Sequence, residues 1–146
     1  MSALNNDYLY EILGSQGFAA GDDIALPAGS GTTQATASIV AKGQLHRVTV
    51  SIASAAILLK SVLSNDNPQI VFIINDTGNT VQVFPYKAIG AGATDTGEAM
   101  NGVANAAFSI TANNAAIFVS SLVQPKRKGG SSGSTPALNW SAALLS

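Results

Sequence analysis

Apolar residues in this chain come in short bursts that alternate with polar ones, and Gly, Asn, Asp, Ser and Pro separate the bursts. A period of two marks strands with one buried face, and such punctuation marks turns. Residues 46–52 show the alternation most cleanly: Val48, Val50 and Ile52 point one way, Arg47, Thr49 and Ser51 the other. Residues 32–39 alternate similarly with smaller side chains. Residues 55–63 also fit a helical face through Leu58, Leu59, Val62 and Leu63, and the strand is the preferred reading. Ile70, Val71, Phe72, Ile73 and Ile74 leave no polar side, so this strand is expected to lie centrally with both faces covered.

The turns between these bursts predict how strands pair. Asn75, Asp76, Thr77, Gly78 and Asn79 connect the central strand to Val81, Val83 and Pro85, which alternate with Gln82 and Phe84. A hairpin is expected, ending at Pro85, which has no N–H to donate. A second hairpin is expected from residues 107–111 and 115–122 around Ala112, Asn113 and Asn114, since asparagine tolerates the positive φ of such turns. Residues 88–101 form a glycine-rich loop, and residues 137–145, with Trp140, close the sheet. About seven to nine short strands at this spacing predict an all-β sandwich or small barrel.

The N-terminal part differs. Tyr8, Leu9, Ile12 and Leu13 have helix-like spacing until Gly14 and Gly17 interrupt it, and residues 21–31 form a loop around Pro27. Residues 1–30 hold little that fills a core, so they are expected to be an arm, with the domain over residues 31–146. The arm's aromatic residues Tyr8, Tyr10 and Phe18 then need a surface to pack on, either an outside partner's or that of the domain itself.

Composition narrows the chemistry. The chain has 146 residues, a net charge of −1, 10% charged residues and no cysteine. That suits one compact domain, and it excludes disulfide scaffolds, thiolate zinc sites and cysteine nucleophiles. Balanced charge supplies no field for nucleic acid and no cationic face for a membrane. The longest apolar stretch, residues 52–59, is far short of the ~20 residues of a membrane-spanning helix. No secretory signal is visible, so synthesis in a cytoplasm is expected.

Candidate sites are few. The single histidine, His46, stands beside Arg47 at a strand start and is expected to be a surface or interface side chain. Asp66, Asp76 and Asp95 lie in turns without metal-ligand spacing, and no nucleophile elbow is present. In the loop of residues 90–97, Asp95 stands where a dinucleotide fingerprint needs its third glycine. No catalytic residue, metal site or cofactor is therefore expected. Lys126, Arg127 and Lys128 sit in a Gly/Ser-rich flexible loop, residues 124–136, and are read as solvated or as contacts to an acidic neighbour. The Trp140 indole N–H is expected to find a backbone carbonyl near the surface. Tyr86, beside Lys87 and the following loop, offers one wall of a carbohydrate site, which keeps a sugar-binding sandwich as an alternative.

The order of motifs resembles a group of tailed-bacteriophage virion proteins. An apolar strand leads from Ile70 through Asn75 to Asn79 into Val81, Val83 and Pro85. Met100, Asn101, Gly102 and Val103 close a glycine-containing loop, Ala106 to Phe118 supply an apolar-turn-Ala-x-Phe unit, and Trp140 takes the final strand. In that group an isoleucine stands where Met100 does, and residues 124–137 are an insertion. Thr33 to Ala37 and Arg47 to Val50 fit as well. The resemblance implies a jelly-roll-like β fold and a structural role on the particle. A capsid decoration (cement) protein is favoured, and a tail, baseplate or fibre component is the alternative. It implies the major capsid protein and further copies of itself, as dimer or trimer, as partners. The implied location is the capsid surface of the virion, with Tyr8, Tyr10, Phe18, Lys126, Arg127 and Lys128 as interface residues.

Overall fold

In the computed structural model the described residues are 6–40, 42–64, 69–87, 97–123 and 137–145. The protein is mostly β, with two open sheets and one helix, α1 (Asn6–Ser15). The large sheet has seven strands in the order β1 (Ile24–Leu26), β3 (Leu45–Ser51), β5 (Ile70–Asn75), β10 (Ala115–Val123), β11 (Ala137–Leu144), β7 (Ala99–Met100) and β8 (Val103–Ala104). The small sheet has four: β2 (Ser38–Ile39), β4 (Ala55–Leu58), β6 (Val81–Phe84) and β9 (Phe108–Ile110).

The chain crosses from the large sheet to the small one three times in succession, β1 to β2, β3 to β4 and β5 to β6. Each crossing lies parallel to the one before: β1 pairs with β3 and β3 with β5, while β2 pairs with β4 and β4 with β6. This is a short parallel coil. The return crossing, β9 to β10, closes it with antiparallel partners, β9 on β6 and β10 on β5. A jelly roll joins antiparallel strands in Greek keys; the parallel pairing seen here is a different connectivity, and neither sheet closes into a barrel.

Both expected hairpins are therefore corrected to arches between sheets. The strands of the first, β5 and β6, belong to different sheets, as do those of the second, β9 and β10. The reason lies in β5, which already has β3 on one edge and β10 on the other, so β6 has no free ladder to join. The turn residues behave as expected in one respect: Asn113 takes a φ of 55°.

β5 is covered on both faces, as its unbroken apolar run predicts. Val71 and Ile73 join Val48, Ile57, Val81, Val83, Ile110, Phe118 and Trp140 between the sheets. Phe72 and Ile74 join Leu45 and Ala115 on the outer face, beneath Leu9, Tyr10, Leu13 and Phe18. Phe108 meets Phe118 edge to face at 5.6 Å, a favoured aromatic geometry.

Three further expectations change. Residues 21–31 are not all loop: Ile24, Ala25 and Leu26 form β1, and Leu26 is fully buried in the main core. The pairing of Ile24 with Val48 and of Ala25 with Val50 skips Thr49, and this bulge turns Val50 outward instead of inward. Met100 and Val103 flank an Asn101–Gly102 turn with φ of 51° and 81°, a tight hairpin inside what the sequence presents as loop.

Candidate functional site

Four groups of polar side chains are brought together by this fold. The first fills the corner where three crossings join the sheets, β3 to β4, β5 to β6 and the return from β9 to β10. Asn75 is fully buried, and its side-chain amide donates to the carbonyls of Asn79 (2.7 Å), Ile110 (3.1 Å) and Thr111 (3.1 Å). Its carbonyl oxygen accepts from the Thr77 hydroxyl at 2.7 Å and the Thr77 N–H at 3.2 Å. Thr77 meets the Ser51 hydroxyl at 2.6 Å, and the Asn79 side chain donates to the Ser51 carbonyl at 2.7 Å. One asparagine thus satisfies backbone groups of two arches, while its neighbours reach the third. Buried polar groups need such partners, because leaving one unpaired costs about 1–3 kcal/mol.

The second group holds α1 on the sheet. Arg47 donates to Asp7 at 2.7 Å and also to Asp76, while Asn6 donates to Asp76 at 3.0 Å. The guanidinium lies 5.5 Å from the centre of the Tyr10 ring. Burial pushes the Asp76 carboxyl up, but hydrogen bonds from Asn6 and Arg47, with the Arg47 charge, outweigh it and leave the pKa below its ordinary value. The Asp76 hydrogen bond, against partial burial and with help from Asp7, raises that of Arg47.

The third group is a staple at the opposite end. Glu98, 5% exposed, accepts from the Ser61 hydroxyl at 2.6 Å and the Val62 N–H at 2.9 Å. In the fourth, the Asn101 amide acts as an added ladder unit, accepting from the Ala142 N–H at 2.8 Å and donating to the Ala142 carbonyl at 3.2 Å.

The interface residues read from the sequence fall into three places. Tyr10 and Phe18 pack inward on the outer face of the large sheet, Phe18 meeting Phe72 edge to face at 4.7 Å. They cover the protein's own core, as the self-packing reading of the arm allows. Tyr8 is 60% exposed on the same helix. Lys126, Arg127 and Lys128 lie outside the described residues, as do Asp66, Asp95 and most of the loop of residues 90–97.

His46 is corrected from a surface side chain to a fully buried one. Its ring nitrogens lie 3.2 Å from the Asp22 carbonyl and 3.1 Å from that of Gly43. Gly21 covers it so closely that an added Cβ would sit 2.1 Å from the ring. The Trp140 indole is also fully buried, and its N–H has no hydrogen-bond partner among the described residues, contrary to the surface carbonyl expected for it. Tyr86 is half-buried. Among the described residues no three His, Asp or Glu side chains gather to hold a metal ion, and no helix is long and apolar enough to cross a membrane.

Sequence reasoning missed Asn75, Glu98 and the clamping role of Arg47. Asn75 was visible only as a turn former, and nothing around Glu98 signalled burial. Compared with protein-family models, curated proteins and solved structures, the chain matches none.

Proposed function

We propose that this protein is a structural component of a tailed-phage virion, a capsid decoration protein that binds the outside of the shell and cements neighbouring subunits. The observation that supports this reading is where the polar side chains act. The Asn75 corner, the Arg47 clamp, the Glu98 staple and the Asn101 ladder each bond the protein's own backbone or its own elements, which is the chemistry of a rigid spacer.

A cement protein works by bridging. Many weak contacts, repeated by the symmetry of a shell, give a stable coat through effective concentration, and binding only the expanded shell stabilises that state by linkage. The proposal needs a double β layer, which is present, and does not need the antiparallel jelly-roll connectivity. In this reading Tyr8, exposed on α1, meets a shell subunit, and Lys126, Arg127 and Lys128 pair with an acidic neighbour.

Fractionation of disrupted particles tests the reading. A copy number near that of the major shell protein is expected, and Tyr8→Ala is expected to lower occupancy on the head. Copies in the low tens would move the protein to the tail or baseplate. Absence from particles, with retention on a glycan array, would replace the proposal with the sugar-binding one.

A further inference from the structure

Helix α1 covers more than it buries. None of its residues is buried, whereas Leu45, Phe72, Ile74 and Ala115 beneath it are. A ten-residue helix is marginal in water by itself, so α1 depends on this apolar face and the face depends on α1.

The chain that joins α1 to the domain is built to change direction. Gly17 has a φ of 90°, and a Cβ added at Gly14 or at Gly17 would meet nothing within 4 Å. These glycines are therefore not required by close packing. Gly17 alone takes the left-handed turn that folds the helix back, and it closes the helix end, where the Gln16, Gly17 and Phe18 N–H groups donate to Ile12 (3.0 Å), Gly14 (3.1 Å) and Leu13 (3.3 Å). The fixed part starts just beyond: Ala19 accepts from the N–H groups of Gln44 (2.8 Å) and Leu45 (3.1 Å), and Gly21 donates to Leu45 at 2.8 Å. Phe18 stays on Phe72 at this anchored side. The polar contacts of α1 itself cluster at its first turn, on Asp7 and Asn6, and the Asp7 side chain is 73% exposed.

From this geometry we infer that α1 is exchanged between two copies of this chain. The helix of one copy covers Leu45, Phe72, Ile74 and Ala115 of the other, and Gln16 and Gly17 form the hinge. The occupant follows from complementarity: the surface fits α1, with Arg47 and Asp76 placed for Asp7 and Asn6, and a second copy brings the same helix. The contacts of α1 with the sheet are remade in the exchanged dimer, and only the backbone bonds across the hinge are given up. The balance between the two is then set by hinge strain and concentration. The inference rests on packing alone and stands apart from the virion reading.

The test uses the full chain. In the double variant Gly14→Ala and Gly17→Ala, the first substitution favours continued helix and the second penalises the positive φ of the fold-back. The dimer association constant, measured by sedimentation after incubation near the melting transition, should rise by roughly tenfold or more. The chain has no cysteine, so two single variants, Asp7→Cys and Arg47→Cys, report which copies touch. After mixing and the same incubation, a flexible bis-maleimide that spans the length of the Arg47 side chain is expected to join the two different chains. A double variant that stays monomeric, or dimers that form without the mixed cross-link, would overturn the inference. If the double variant does not fold, the cysteine mixture alone decides.

Discussion

Removing the carboxamide of Asn75 is the sharpest probe of how the two sheets are joined. Asn75→Ala loses all five hydrogen bonds of that side chain and leaves the buried Thr77 N–H without its acceptor. At about 1 kcal/mol net for each of these hydrogen bonds, with 1–3 kcal/mol for a buried group left unpaired, the loss is about 6–8 kcal/mol. Total stability for a domain of this size is about 5–15 kcal/mol, so one amide carries a large fraction of it. With a urea slope of about 2 kcal/mol/M, the equilibrium midpoint should fall by about 3–4 M. Asn75→Asp, which keeps the shape but places an acceptor against three carbonyls, should lose at least as much at neutral pH. A midpoint for Asn75→Ala within about 0.5 M of the native value would refute the argument that this residue fastens the arches.

Two further outcomes follow from the buried and paired groups. Asp76 has its pKa lowered on folding, so its contribution is complete above the ordinary carboxylate value of 3.8 and is lost as pH falls through the folded value. Acid titration of the helix signal should show α1 released in that range, and Asp76→Asn should flatten the dependence. Trp140 is buried and its N–H has no partner among the described residues, so Trp140→Phe should cost under about 1.5 kcal/mol, whereas Trp140→Ala should cost about 3–5 kcal/mol, both read by equilibrium denaturation.

The sequence showed which residues are strands better than which strands are neighbours. The run Ile70 to Ile74 announces burial on two faces because no polar side is left. Pairing was hidden because an Asn/Gly turn looks the same whether it closes a hairpin or an arch. What separates the two cases is the inward turn of one side chain, Asn75, toward carbonyls 35 and 36 positions away. β1 was hidden because three residues between Asp23 and Pro27 show no period, yet Leu26 is core. The bulge at Thr49 broke an alternation that is perfect on paper. Of the proposed interface residues, Tyr10 and Phe18 were legible as apolar anchors, but their target is the protein's own sheet, a long-range fact no local pattern carries.

The parallel coil has a bearing on how the molecule assembles itself. Within the coil, β1 to β6, each strand waits for one a full turn later in the chain, so none of these rungs closes on nearby sequence. Among the described residues the turn at Asn101 and Gly102 is the tightest local pairing, and it lies at the far edge, away from the coil. Such a chain is expected to search slowly for its native state, with apolar strands such as β5 exposed while it does so.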